Sequence, residues 1–160
     1  MADAIRVNDT QLSWGSIRCI IDGEPYFGFT AISYADKRER VKAYGMGRHH
    51  APRGRSAGKY TTESVKLTGW KSSTQALIQA LAARAPDQVS YGNTIFVVSV
   101  IYSEPTDMNV DVLISGCCLI GISTSEEESA DPLKEELEID CLAIRRNGLT
   151  LFNSTELTPV

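Results

Sequence analysis

The residues with the most chemical potential gather in one short stretch. Gly54-Arg55-Ser56-Ala57-Gly58 fits the G-x-S-x-G pattern that exposes a nucleophilic serine on a strand-to-helix turn. That chemistry needs a strand before the serine, a helix after it and a histidine later in the chain. Here a polar stretch precedes Ser56, an alternating β-like run follows it, and both histidines, His49 and His50, lie upstream. Gly54 and Gly58-Lys59 also approach a phosphate-cradling loop. Such a loop places four residues between its glycines and Ser or Thr after its lysine, whereas this chain has three residues and then Tyr60. Gly45-Met46-Gly47 lacks the third glycine of a dinucleotide fingerprint. Metal-binding histidines usually sit a few residues apart on one face, and His49 and His50 are adjacent. Cys19, Cys117, Cys118 and Cys141 form no C-x-x-C pair and read as reduced, buried thiols. No nucleophile set, metal site or cofactor motif survives, so the expectation is a protein that is not an enzyme and carries no cofactor.

Charge is more informative. Between Lys37 and Lys59 the bases are Lys37, Arg38, Arg40, Lys42, Arg48, Arg53, Arg55 and Lys59, against Glu39 alone. Between Thr124 and Asp140 the acids are Glu126, Glu127, Glu128, Asp131, Glu135, Glu136, Glu138 and Asp140, against Lys134 alone. Two blocks of opposite sign and similar size invite pairing. Between identical subunits such a pair is heterologous, so it builds rings or open stacks rather than closed dimers. Two solvated faces that never meet would show the same composition. A basic stretch could also grip a phosphate backbone, although Gly45–Lys59 holds no aromatic on which bases would stack. The whole-chain net charge of −4 gives no nucleic-acid footprint.

The elements that must position these charges read as mainly β. Trp14–Asp22 alternates, Gly23-Glu24-Pro25 turns, and Tyr26–Tyr34 is an aromatic and β-branched run that would complete a hairpin. Glu39–Tyr44 is a short third strand. Residues 45–59 combine four glycines and a proline with almost no apolar side chain, which predicts a projecting loop. Tyr60–Lys71 alternates but is polar on both faces, with Val65 and Leu67 as its core residues. Ser72 and Gln75 have the capping-box spacing, Leu77, Ile78 and Leu81 form an apolar stripe, and Pro86 ends that helix. Strands follow at Thr94–Ser103, Val110–Thr124, Leu137–Arg145 and Leu149–Phe152, the last after an Asn147-Gly148 turn. In the second of these, Val110, Val112, Ile114, Cys118, Ile120 and Ile122 share one face. A chain of 160 residues with no repeat or linker makes one domain, 1–160. Its fold class is a β-sandwich or barrel with one flanking α-helix, with 1–12 and 153–160 as terminal arms. No apolar run reaches the ~20 residues that span a bilayer, and the chain reads as soluble and made in a cytoplasm.

Three stretches, in this order and spacing, resemble phage tail tube proteins. They are Gly28-Phe29-Thr30-Ala31-Ile32-Ser33-Tyr34; Lys42–Gly45 through Pro52–Tyr60 with the alternating strand and helix after it; and Asp131-Pro132-Leu133 leading to Arg146-Asn147-Gly148. The resemblance covers roughly residues 13–152. It implies a ring-forming subunit whose hexameric rings stack into the inner tube of a virion tail, a channel for DNA assembled in the host cytoplasm. Its implied partners are further copies of itself, sheath or baseplate proteins, and passing DNA. By position, Lys42, Arg48, His49, His50, Arg53, Arg55 and Lys59 would make inter-ring contacts, with Glu126, Glu127, Glu128, Asp131, Glu135 and Glu136 as their acidic counterpart. Thr61, Glu63 and Lys66 would lie on the lumen strand. The same resemblance fits a tube-initiating protein of the baseplate. A nucleic-acid-binding module using residues 37–59 is the alternative from a different class.

Overall fold

The computed structural model describes residues 14–47, 50–103 and 109–152. The two expected arms, with Arg48 and His49, lie outside the described residues. In chain order the strands are β1 (Ile17–Ile21), β2 (Glu24–Tyr26), β3 (Phe29–Ser33), β4 (Asp36–Glu39), β5 (Lys42–Ala43), β6 (Gly54–Arg55), β7 (Lys59–Thr62) and β8 (Val65–Trp70). Helix α1 (Lys71–Arg84) follows, then β9 (Phe96–Ser103), β10 (Asn109–Thr124), β11 (Lys134–Asp140) and β12 (Ala143–Arg146). Antiparallel pairing runs β2-β1-β9-β10-β11-β8-β3, with β12 also on β10.

Strand β10 joins two layers. Its first half pairs with β9 and β12, and its second half pairs with β11. Val98, Val100, Val112 and Ile114 from the first layer meet Val65, Leu67, Leu137 and Ile139 from the second in one buried cluster, with Leu77 and Leu81 of α1 closing it. This is the mainly-β, one-helix fold that the alternation predicts. No helix among the described residues is long and apolar enough to cross a membrane.

Several boundaries differ from the sequence expectation, each for a physical reason. The run 26–34 is not one strand. Only β2 pairs with β1, and after Gly28 the chain crosses to β8. Gly28 passes so close to α1 that a Cβ there would lie 1.7 Å from the Ser73 hydroxyl. The helix begins at Lys71 with Trp70 as its N-cap and no side-chain cap, so the Ser72–Gln75 capping box does not form. The face of β10 is not constant. Gly116 takes φ +65°, the register with β9 shifts between Ile114 and Cys117, and burial passes to Cys117 and Leu119. Ile120 is thereby exposed. Run 137–145 breaks at Cys141-Leu142, where the Leu142 side chain fills the space beside Gly116 and its amide donates to the Ser115 carbonyl. Beyond the Asn147-Gly148 turn only Leu149 bridges back to Arg146, so 149–152 is not a strand.

Candidate assembly interface

The basic segment folds as a two-stranded ribbon. Strands β4 and β7 pair from Asp36↔Thr62 to Glu39↔Lys59, and β5 and β6 continue it at Lys42↔Arg55 and Ala43↔Gly54. At ~3.3 Å per residue the arm from Asp36 to Ala43 is about 25 Å long. The G-x-S-x-G serine has a structural task there: the Ser56 hydroxyl accepts from the Val41 amide at 2.9 Å. Residues 54–58 are exposed and are followed by β7 rather than by a helix, so the elbow geometry is absent.

The root of the ribbon is fastened to the sandwich. Asp36 accepts from Arg146 at 2.8 Å and from the Tyr60 hydroxyl at 2.9 Å, and the same hydroxyl accepts from the Ile144 amide. Thr62 donates to the Cys141 carbonyl at 2.6 Å, and the Phe152 ring packs at a tilt against Tyr60. Past Glu39, every described residue to Lys59 is exposed, including Lys42, His50, Arg53, Arg55 and Lys59. Lys42 and Arg55 are directly opposite each other, an unfavourable like-charge pair unless an anion comes between them. The same tip exposes Val41, Tyr44 and Met46, the last at 96%. These three were missed in the sequence. Their signal was apolar character inside a stretch with no core to join.

The acidic segment, continuous in sequence, has three fates. Glu135 turns inward and is buried, accepting from the Thr74 hydroxyl at 2.6 Å, with the Lys71 ammonium 3.7 Å away. Glu126 is held by that same ammonium, and this partner raises the Lys71 pKa. Glu135 is therefore not free for a neighbour, and Glu126 already has a partner within the subunit. Glu136 lies on the outward face of β11, beside Glu138 and Asp140, because Glu135, Leu137 and Ile139 take the inward face. Glu127, Glu128 and Asp131 remain exposed in the loop between β10 and β11.

Register places these features at opposite ends of the β10-β11-β8-β3 layer. The ribbon leaves from the Ser33 and Val65 ends of β3 and β8. The acidic loop sits where Trp70 pairs with Lys134 and Thr124 with Glu135. Six residues of β8 separate the two ends, about 20 Å.

The candidate lumen residues divide likewise. The strand expected over 60–71 is two strands, broken at Glu63-Ser64. Thr61 is on the ribbon with its hydroxyl buried, Glu63 is exposed at the break, and Lys66 is on the outward face of β8 opposite Glu138. That outward face carries Ser33, Lys66, Thr68, Glu136, Glu138 and Asp140, with Trp70 at its far end. Among the described residues, no group of three or more His, Cys, Asp or Glu stands where it could hold a metal. The cysteines are free, and burial pushes the Cys19 thiol up to about 11 and Cys117 to about 12.

The architecture is a tail-tube-like fold. It is shared, over most of both chains, with proteins of tube-bearing injection and secretion machines. A chain of the anti-feeding prophage cap, described as the tube-terminating cap, is 11% identical with a TM-score of 0.59, over 91% of this chain and 95% of that one. Hcp1 from Flavobacterium johnsoniae is 13% identical with a TM-score of 0.54, over 86% and 98%. A chain of the sheath–tube complex of the PVC extracellular contractile injection system, in its extended state, is 9% identical with a TM-score of 0.55, over 89% and 95%. No protein-family model matches the sequence, and no curated protein matches it.

Proposed function

We propose that this protein is a structural tube subunit of a virion tail. Identical copies close into six-membered rings, and the rings stack into a channel through which DNA reaches the host. One observation carries the stacking: a basic arm and an acidic loop at opposite ends of the same layer, the placement a head-to-tail repeat requires. Ring closure uses the open strand edges. Strand β3 ends the pairing path, and an unpaired edge invites a neighbour. Joined edge to edge, the β10-β11-β8-β3 layers of six copies would form one barrel whose polar face turns inward. Glu136, Glu138 and Asp140 would then line the lumen and repel a passing polyanion. The outside would meet a sheath or baseplate.

Electron microscopy of the purified protein at rising concentration tests this. Rings or tubes are expected; a strictly monomeric species, with no tube of this chain in the particle, would overturn it. The likeness to a tube-terminating cap supports a second reading, a subunit at one end of the tube present in few copies. Copy number per particle decides between the two: a tube body needs many rings, a terminal piece one or two.

A further inference from the structure

The acidic end of the layer holds more than charge. Trp70, Lys71, Ser72, Pro132 and Leu133 line an open cleft of about 320 Å³ there. Trp70 and Leu133 are each nearly half exposed although both are large and apolar. The Glu126 carboxylate, bound to Lys71, borders the cleft, and the loop carrying Glu127, Glu128 and Asp131 leads directly into Pro132. The cleft is thus an apolar floor with an acidic rim.

The ribbon tip has the complementary makeup. Tyr44 and Met46 are exposed among Lys42, Arg53 and Arg55, and no core of the same subunit lies near enough to cover them. A two-stranded ribbon alone is at best marginally stable in water. Tyr and Met are enriched in interface centres, and the unbranched thioether of Met adapts to irregular gaps.

We propose that the Trp70–Pro132–Leu133 cleft is the socket for the ribbon tip of a second copy of this chain. Tyr44 and Met46 enter it, while Lys42, Arg53 and Arg55 meet Glu127, Glu128 and Asp131 at the rim. The inference rests on the stacking reading and specifies its contact. The occupant is a second copy because the charges are opposite in sign and equal in number and because tip and cleft belong to opposite ends of one subunit. The tip therefore cannot fill its own socket, and each filled socket leaves another tip free. This heterologous contact propagates along an axis.

Disulfide trapping tests it on the full chain. Met46→Cys combined with Leu133→Cys, oxidised under assembly conditions, should give a covalent ladder running well beyond dimers. The wild type, whose cysteines are buried or half-buried, should give none. Met46→Cys combined with Ser33→Cys, which lies at the ribbon end of the layer, should also give none. Equal ladders from the two pairs would overturn the socket, because the tip would then be touching indiscriminately. Absence of the 46–133 ladder overturns it too. Tubes in that same sample would leave the tube reading standing, and their absence would remove both. As a second readout, Tyr44→Ser with Met46→Ser should raise the concentration needed for tube growth roughly tenfold or more while leaving thermal unfolding unchanged. An unchanged growth threshold would overturn the socket.

Discussion

The two ends of the ribbon are built on opposite principles. At the root, the Asp36 side chain is 3% exposed and answers both the Arg146 guanidinium and the Tyr60 hydroxyl. The guanidinium also lies 5.9 Å over the Tyr34 ring, whose hydroxyl bonds to Tyr102. Asp36, Arg146, Tyr60 and Tyr34 there each find a partner inside the subunit. At the tip, cations face each other across β5 and β6, and apolar side chains stand in solvent. The root fixes where the arm points, and under the stacking proposal it is a partner that completes the tip. Changes at the root should therefore cost folding stability, and changes at the tip should cost assembly.

The sharpest way to break that division is at Asp36. Asp36→Ala removes a nearly buried acceptor and leaves two donors without their partner. The expected loss is about 2–3 kcal/mol of unfolding free energy, measured by urea denaturation. A loss below about 0.5 kcal/mol, the range of ordinary surface changes, would mean the root is not a fastening at all.

A similar contrast runs through the acidic segment, and Glu135 measures it. Glu135→Gln keeps the shape but weakens the acceptor facing Thr74 and Lys71, at a cost of about 1–2 kcal/mol. Glu127→Gln and Glu128→Gln should change stability by less than about 0.5 kcal/mol. Equal costs at the three positions would show that burial does not separate them.

This division within one acidic run marks the limit of what the sequence discloses. Alternation and turn residues are local signals, and they suffice for β9 and for the Leu77 and Leu81 stripe, whereas the loop they predict over 45–59 is one side of a paired ribbon. The burial of Glu135 depends on Thr74, sixty-one positions away, and no local pattern announces it. The phase change in β10 is similar. It needs Gly116 in the left-handed region and Leu142 packed beside it, two residues brought together only by tertiary pairing. Strand 60–71 read as polar on both faces because it is two strands with different neighbours, β7 against β4 and β8 between β11 and β3. The opposite-end placement of the charged features was equally out of reach, since it depends on register.

The root also predicts an alkaline limit. Burial chiefly, with Asp36 adding to it, pushes the Tyr60 phenol from its ordinary 10 up to about 12. A raised folded-state pKa favours the neutral phenol. Its contribution is therefore complete below pH 10 and is lost as pH climbs from 10 through 12. The wild type should lose urea stability across that window. Tyr60→Phe starts about 1 kcal/mol lower at neutral pH and should fall less steeply there. Parallel curves for the two proteins would show that Tyr60 does not titrate as part of the fold.

The smallest stability change is expected at the tip, where the largest change in behaviour should follow. Arg53→Glu with Arg55→Glu touches residues that are exposed and lack a carboxylate partner among the described residues. Unfolding free energy should move by less than about 0.5 kcal/mol, and could rise slightly because the like-charge pair of Lys42 and Arg55 is relieved. If the rings stack as proposed, assembly should nevertheless fail, because two contacts per subunit would change from attraction to repulsion and the fault would repeat at every subunit of every ring. Adding Glu127→Arg and Glu128→Arg should restore tubes if these charges meet across the ring boundary. Rescue separates pairing from mere net charge: the quadruple variant returns to the wild-type total, and so does Arg53→Glu, Arg55→Glu combined with Glu136→Arg and Asp140→Arg, which place the compensating charge on the outward face of β11 without setting it opposite Lys66. Recovery with the first combination and not the second would assign the contact to the loop beside the cleft. Recovery with both would reduce it to overall charge, and normal tubes from the initial double variant would show that the ribbon tip takes no part in stacking.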